Sequence, residues 1–212
     1  AYDALRNQGY MGLLVPKEYG GSGGNCQHHA KVCFHLARFD ASSALCYMMH
    51  NTATACLSLF GSDRQKSQFL PQIAKGEAAF ALAYSESGSG THFGLPDITE
   101  QEVDEYRILN GRKSFVTSAQ HADYYLTYSN SCKVSGGKNN WIVPNNSDGL
   151  LHEEGVWNGL GMRGNFSKPV QYNNVKLNTQ TSLLGKDGEG EAQAGIVAMY
   201  FVVGLGAVYS GV

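Results

Sequence analysis

The spacing of hydrophobic residues changes twice along the chain, dividing it into three blocks. Up to about Gly76 apolar residues recur at helical spacing, most clearly in the segment that starts at Cys26. Between about Ala79 and Leu184 short apolar runs alternate with turn residues, a pattern typical of β-strands. The segment after Gly190, which carries no charged residue from Ala192 to Val212, predicts a further helix. Helices, then strands, then a helix indicate an α+β fold with segregated layers.

Capping and turn residues define the individual elements. Candidate N-caps precede three helices, at Asn25, at Asp40 or Ser42, and at Ser62 with Gln65 as a capping box. Pro71 predicts a kink or break in the third of these helices. Asn110–Gly111 predicts the type I′ turn of a β-hairpin, with Tyr106–Leu109 and Arg112–Thr117 as its strands. Further strands are expected at Tyr124–Ser129, Trp141–Val143, Val156–Trp157 and Val170–Tyr172.

These patterns predict three domains. They are an N-terminal helical domain at 1–78, a middle β-barrel or β-sandwich domain at 79–185, and the first helix of a truncated C-terminal helical domain at 186–212. The last segment is long enough to span a membrane. Gln193, Ser210, four glycines and the lack of flanking basic residues favour instead a helix buried in a larger bundle. We therefore expect no membrane span.

Composition excludes several classes of function. The net charge is −2, which gives no basic surface for a nucleic-acid backbone, so we expect no nucleic-acid partner. The five cysteines are scattered and fit neither a disulfide framework nor a zinc site, which indicates a reducing compartment. With no signal-peptide pattern at the N-terminus, we expect a cytoplasmic protein, or a mitochondrial matrix protein if the source is eukaryotic. His28, His29 and His35 share a helix without an acidic partner cluster, and no metal site is expected.

The segment from Phe80 to His92 carries the most informative chemistry. A strand runs into a loop rich in glycine and hydroxyl residues, which can bring backbone N–H groups close to an anionic or heteroaromatic ligand. It lacks both the P-loop lysine and the G-x-G-x-x-G of a dinucleotide-binding unit. From these residues alone, a flexible surface loop with turn-forming hydroxyls remains the alternative. The acidic run from Glu100 to Glu105 is interpreted as a solvated loop.

Several segments, taken in order, resemble the acyl-CoA dehydrogenase family. Ser85–Thr91 (S-E-S-G-S-G-T) is similar to its flavin loop T-E-P-x-A-G-S-D, and Asn110–Thr117 (N-G-R-K-S-F-V-T) to N-G-x-K-x-W-I-T. Ser87 in place of proline and His92 in place of aspartate depart from the pattern. The other matching segments are Leu5–Gly21, Gln68–Glu77, Gly159–Ser167, Asn174–Val175 and Leu183–Gly190. Together they span essentially the whole chain.

The resemblance implies an FAD-dependent enzyme that introduces an α,β double bond into an acyl-CoA thioester. By position, the flavin ring would contact the backbone of Leu82, Ala83 and Tyr84 and the hydroxyl of Ser85. Gly90 and Thr91 would approach the pyrophosphate, with Thr91 also near the CoA part of the substrate. Phe115, Val116 and Thr117 would lie along the ring, with Phe115 on one face and the Thr117 hydroxyl near N5. Ordinary strand packing is the alternative for Phe115 and Thr117.

The same resemblance implies partners and a missing group. The family's catalytic carboxylate lies in the last helical domain, so no residue of this chain is assigned as catalytic, and Glu86 is interpreted as part of the motif's scaffold. This chain alone is then expected to be inactive. An electron-transfer flavoprotein would accept the electrons, and the family usually forms homotetramers or homodimers.

Two other functions stay open. One is a reduced-flavin-dependent monooxygenase of the dibenzothiophene monooxygenase type, which has the same fold without the catalytic glutamate. The other is a non-catalytic fragment that acts only as a binding module through its apolar last helix.

Overall fold

The computed structural model describes residues 2–89, 92 and 94–212, which form two compact units. The helical unit comprises the described residues of 1–80, 158–165 and 195–212. The β unit comprises those of 81–157 and 166–194. Among these residues helices come first, strands follow, and a long helix is the last element, so the predicted α+β class is confirmed.

Four α-helices lie near the N-terminus among the described residues of the first unit. They are α1 (Tyr2–Asn7), α2 (Cys26–Ala37), α3 (Ala41–Phe60) and α4 (Asp63–Ala74). Asn25 accepts hydrogen bonds from the backbone N–H groups of the first turn of α2, and Asp40 does the same for α3. Ser62 and Gln65 form the predicted capping box of α4. Each cap supplies an acceptor for N–H groups that have no partner within the helix.

The predicted break at Pro71 does not occur. Helix α4 continues through Pro71 to Ala74 as one element. Proline removes one backbone hydrogen bond. Phe69, Leu70 and Ile73 are buried around it, and their burial stabilises the helix on both sides of the proline.

His50 links three segments of this unit from the middle of α3. The backbone N–H of Phe80 donates to its Nδ1 at 3.1 Å, so Nδ1 carries no proton. Its Nε2 then donates to the carbonyl of Met11 at 3.0 Å. This side chain fixes the chain at the start of the first strand.

The described residues of the second unit form two β-sheets. One has the order β1–β4–β5 and the other the order β2–β3–β7–β6. The strands are β1 (Phe80–Ala83), β2 (Thr99–Val103), β3 (Tyr106–Val116), β4 (Tyr124–Asn130), β5 (Lys138–Pro144), β6 (Leu150–His152) and β7 (Lys168–Asn178). Side chains from both sheets form one buried cluster, including Ala83, Tyr125, Trp141, Leu109, Val116 and Val175. The arrangement is a sandwich with its core between the sheets.

The prediction of a hairpin turn at Asn110–Gly111 is wrong. Strand β3 runs without interruption from Tyr106 to Val116. The hairpin turn lies at Asp104–Glu105, where it joins β2 to β3. Gly111 has φ 141° and lies opposite a β-bulge in β7, which has one residue more between Tyr172 and Val175 than β3 has between Leu109 and Gly111. A Cβ at this position would lie 2.9 Å from Cγ1 and 3.2 Å from Cα of Ile98, so the close approach of Ile98 also favours glycine.

Two other predictions for the β region are also wrong. Val156–Trp157 is not a strand, whereas Leu150–His152 is one. The acidic run is an edge strand and a turn instead of a solvated loop. The Glu100 carboxylate is buried and accepts hydrogen bonds from Nε1 of Trp141 at 2.7 Å and Oγ of Ser129 at 2.5 Å. These partners lie on other strands, and the local acidic pattern carries no sign of them.

The last helices are α5 (Thr179–Ser182) and α6 (Gly190–Gly211). Helix α6 is long and apolar enough to cross a membrane by length and composition alone. Only 22% of its most apolar stretch of 18 residues is buried. Val202 and Tyr209 on this helix are largely exposed. Most of its apolar surface is therefore uncovered by the described residues.

His29 is a buried ionisable side chain on α2. It is fully buried, with its ring edge to face against Tyr200 at 5.7 Å and Sγ of Cys33 3.8 Å from Nδ1. Burial lowers its pKa from 6.5 to about 4, and a backbone hydrogen bond at Tyr200 opposes this shift in part. The folded protein therefore favours the neutral imidazole.

We predict that this histidine makes the protein acid-sensitive. The unfolded chain binds a proton at His29 below pH 6.5, while the folded protein does so only near pH 4, so stability falls across that interval. The loss approaches about 3 kcal/mol by pH 4. Urea unfolding at several pH values should show a flatter dependence for His29→Gln than for the wild type. His35→Gln, an exposed histidine on the same helix, serves as the control and should behave like the wild type. Equal pH dependence in both variants would contradict the prediction.

Candidate functional site

The first part of the site is the end of β1 and the residues after it. Leu82 and Ala83 are buried in the strand, and Tyr84 follows, also buried. The Tyr84 ring stacks on Tyr128 with centroids 4.9 Å apart, and its hydroxyl donates to Oδ1 of Asn140 at 2.5 Å. The side chain of Tyr84 is therefore committed to the protein interior, which leaves its backbone as the part that could contact a ligand. Ser85 is half-buried.

The second part is the end of β3, where this strand contains a bulge of its own. Lys113 pairs with Val170 and Val116 with Lys168, so β3 has one residue more than β7 in this interval. A bulge of this kind redirects the side chains around it. Phe115 accordingly is 64% exposed, whereas Val116 is buried in the core.

Thr117 follows the bulge and is buried. Its Oγ1 lies 2.9 Å from Oγ of Ser167, and either hydroxyl can be the donor. If Ser167 donates, the Thr117 proton is available for an external acceptor. Ser167 was not singled out in the sequence, because a hydroxyl pair 50 residues apart leaves no local pattern.

The structure brings these two parts together. The backbone N–H of Ser114 donates to the carbonyl of Ser85 at 2.8 Å, which joins the residues after β1 to the bulge in β3. The exposed Phe115 ring lies next to this junction in the chain, with Trp157 edge to face at 6.4 Å. Gly90 and Thr91, the other predicted ligand residues, lie outside the described residues.

Two observations fit a planar ligand with a polar edge at this junction. Phe115 presents an aromatic ring to solvent although it lies on an ordered strand. The Ser114 hydroxyl is buried and has no hydrogen-bond partner among the described residues. Such an unpartnered buried hydroxyl costs free energy unless a further group binds it. The residues present therefore fit a heteroaromatic ring system such as a flavin.

A buried ion pair lies behind the junction. The Lys113 side chain is fully buried, and its Nζ is 2.5 Å from Oε1 of Glu86. The same Nζ donates to the carbonyls of Tyr84 at 3.2 Å and Tyr128 at 2.6 Å. Burial lowers the pKa of Lys113 to about 8, and the Glu86 charge opposes this shift. At neutral pH the amine thus stays mostly protonated and can make all three donations.

Glu86 also closes the loop that follows it. One carboxylate oxygen accepts the backbone N–H of Asp97, and the other accepts that of Ile98 at 3.3 Å. The segment between Glu86 and Asp97, called the glycine-rich loop below, is thereby fixed at both ends by one carboxylate. The interpretation of Glu86 as scaffold agrees with these contacts.

No three His, Cys, Asp or Glu side chains lie close enough to hold a metal ion in the part of the chain that the structure describes. His28 and His35 are exposed on α2, and the Nδ1 of His28 belongs to the cap at Asn25. The polar groups at the junction are hydroxyls and backbone groups, which suit an organic ligand.

Comparison with known families shows the family of this chain. Residues 1–77 match the sequence model described as acyl-CoA dehydrogenase, N-terminal domain, and residues 81–175 match acyl-CoA dehydrogenase, middle domain. The two junction segments both lie within the second match. The chain belongs to the acyl-CoA dehydrogenase family.

Individual relatives extend the comparison. The chain is 30% identical to the mitochondrial short/branched chain specific acyl-CoA dehydrogenase of Bos taurus, over 95% of this chain and 49% of the relative. An acyl-CoA dehydrogenase from Bacillus anthracis, solved in complex with FAD, is 25% identical with a TM-score of 0.87, over 99% of this chain and 35% of that one.

A third similar chain comes from a structure described as the electron transferring flavoprotein of Acidaminococcus fermentans, with a TM-score of 0.91 and 25% identity. That match covers 99% of this chain and 56% of the other. The chain spans about half the length of the curated relatives it matches.

We predict that the Tyr84 hydroxyl stabilises the β unit. In Tyr84→Phe the buried Oδ1 of Asn140 loses its donor, which should cost about 1–2 kcal/mol of unfolding free energy. Urea unfolding monitored by fluorescence measures this loss. Tyr106→Phe, at a half-buried ring that lies against Lys176, is the control and should be close to neutral. Equal stability of the two variants would show that the hydrogen bond to Asn140 contributes nothing.

Proposed function

We propose that this chain forms the N-terminal and middle domains, 1–78 and 79–185, of an FAD-dependent acyl-CoA dehydrogenase, with residues 186–212 beginning its last helical domain. The observation that carries the proposal is the 2.8 Å hydrogen bond between Ser114 and Ser85. It joins the two segments that match the family's flavin-binding motifs. Membership of the family supports the same reaction.

The flavin would be held at the junction. The backbone of Leu82–Tyr84 and the hydroxyl of Ser85 would contact the pyrimidine side of the ring, where negative charge develops on reduction. Phe115 would cover one face, with Val116 behind it in the core. Gly90 and Thr91 would lie near the pyrophosphate, and Thr91 also near the CoA part of the substrate.

Bound FAD would supply the acceptor for the hydride that leaves the β-carbon of the acyl thioester, as a carboxylate removes the α-proton. No residue of this chain is proposed as that carboxylate. This chain's own part is to bind and orient the ring and the thioester. It also presents donors to the ring atoms that gain electron density.

Thr117 is proposed as the donor near N5. Its hydroxyl can accept a hydrogen bond from Ser167 and at the same time donate to the ring, because a hydroxyl does both. The two bonds strengthen one another, since each polarises the hydroxyl that it shares with the next. The pair is buried, which strengthens the interaction further.

We also propose an acyl-CoA thioester as substrate and an electron-transfer flavoprotein as acceptor. The names of the bovine relative and of the Acidaminococcus structure support these assignments. A homotetramer or homodimer is the expected assembly, on the basis of the family resemblance alone.

The proposal predicts that the purified full-length protein carries flavin. It should show the visible absorbance of oxidised flavin, and anaerobic addition of a short or branched acyl-CoA, the class named for the bovine relative, should bleach it. Phe115→Ala should weaken FAD binding, because the ring loses its aromatic cover. Leu151→Ala, at a similarly exposed apolar residue of β6, is the matched control and should bind FAD like the wild type.

A colourless protein that takes up no added FAD would overturn this proposal. If the protein binds flavin but no acyl-CoA reduces it, the protein is still a flavoprotein, but the proposed dehydrogenase activity is excluded.

A second prediction concerns the rate of flavin reduction. Thr117→Val removes the proposed donor and should slow reduction by acyl-CoA about 10- to 100-fold in stopped-flow measurements. Thr117→Ser should retain most of the rate because it keeps the hydroxyl. Thr99→Val, the same change at an exposed site on β2, should have no effect. Equal rates for Thr117→Val and Thr99→Val would contradict the role of Thr117.

A further inference from the structure

We propose that Lys113 and Glu86 are a positioning pair that tunes the reduction of the bound flavin through the Tyr84–Ser85 peptide group. This inference rests on the proposed function. It assigns a role to two residues that touch neither substrate nor flavin in the arrangement described above. The argument depends on which groups the buried amine and the buried carboxylate contact.

Lys113 has three N–H donors and three acceptors within reach. They are the carbonyl oxygens of Tyr84 and Tyr128 and Oε1 of Glu86, at 3.2, 2.6 and 2.5 Å. The two carbonyls belong to different segments, the end of β1 and strand β4. One ammonium group therefore fixes the spacing between these segments and leaves no donor unused.

Glu86 fixes a third segment. Its carboxylate accepts the N–H groups of Asp97 and Ile98, so the start and the end of the glycine-rich loop meet at one side chain. Ser89 adds a local closure, because its Oγ donates to the carbonyl of Glu86 at 3.1 Å. The pair thus holds β1, β4 and both ends of the loop.

Both members of the pair are removed from water. The side chains of Lys113 and Glu86 are 0% and 2% exposed. Removing one partner from such a pair is strongly destabilising, because the remaining charge is buried without compensation. Removing both charges together is tolerated far better. This difference allows the role of the pair to be separated from simple loss of folding.

The link to the flavin is the peptide group between Tyr84 and Ser85. Its oxygen accepts a charge-assisted hydrogen bond from Lys113, and its N–H belongs to Ser85. A bond accepted at the carbonyl polarises the peptide and makes its N–H a stronger donor. The proposed function places the Ser85 hydroxyl at the pyrimidine side of the ring, and we place the backbone N–H of the same residue there as well. Lys113 would therefore favour the reduced flavin without touching it.

The test measures the midpoint potential of the flavin in the full-length, FAD-loaded protein by equilibration with a reference dye. The double variant Lys113→Met/Glu86→Gln loses both charges and keeps an amide oxygen for the N–H groups at 97 and 98. We expect it to bind FAD and to show a reduced-to-oxidised ratio about three-fold lower at a fixed potential, because one polarising bond is lost.

The single variant Glu86→Gln should lower the ratio as well. Without the Glu86 charge, which opposes the effect of burial on the pKa of Lys113, the buried amine loses its proton more readily, and its bond to the Tyr84 carbonyl is no longer charge-assisted. A lower pH should return the proton and restore the ratio relative to the wild type at the same pH, whereas the double variant, which has no amine, should not respond. A purely structural role would not produce this difference. Because the neutral amine leaves no unbalanced charge in the core, this variant also keeps the proposal falsifiable if the double variant does not fold.

The matched control is Arg112→Met/Glu153→Gln. It removes the same two charges one residue along the strand, where Nε of Arg112 lies 2.6 Å from Oε1 of Glu153 at the surface. The control should leave the potential unchanged. Potentials in Glu86→Gln and in the double variant that equal this control would overturn the positioning role and leave the proposed function intact. A wild-type protein without flavin would overturn both.

Discussion

The β unit depends on satisfying one buried charge. An ammonium group at Lys113 can stay in the core only if its donors are all used, and here they reach two carbonyls and a carboxylate on separate segments. The hydrogen bonds that the buried amine must make thus hold β1, β4 and the glycine-rich loop in one arrangement. The same arrangement sets the Ser85 carbonyl where the Ser114 N–H can bind it. The candidate site is a consequence of that constraint.

The bulge in β3 determines which side chains lie at the candidate site. A regular strand would place alternate side chains on opposite faces. With one extra residue between Lys113 and Val116, the strand can bury Lys113, expose Phe115 and return Val116 to the core. Thr117 then reaches Ser167 as a buried hydroxyl pair. An aromatic surface and polar groups are thereby combined at one strand end, a combination that suits a flavin ring.

The sequence was informative where the physical cause is local. Caps at Asn25, Asp40 and Ser62 depend on residues three positions apart and were predicted correctly. The turn at Asn110–Gly111 was not predicted correctly, because Gly111 with its positive φ lies opposite a bulge in β7, a strand distant in the chain. Glu100 looked solvated because its partners lie on other strands. The two site segments were predicted from family motifs, but their hydrogen bond, the Lys113 contacts and Ser167 involve residues distant in the chain.

The most direct test of the account is a crystal structure of the full-length protein grown with FAD. The account predicts that the isoalloxazine ring lies against Phe115, with the hydroxyls of Ser85 and Thr117 within hydrogen-bond distance of ring atoms. A ring bound elsewhere, with neither hydroxyl in reach and Phe115 still exposed, would contradict it.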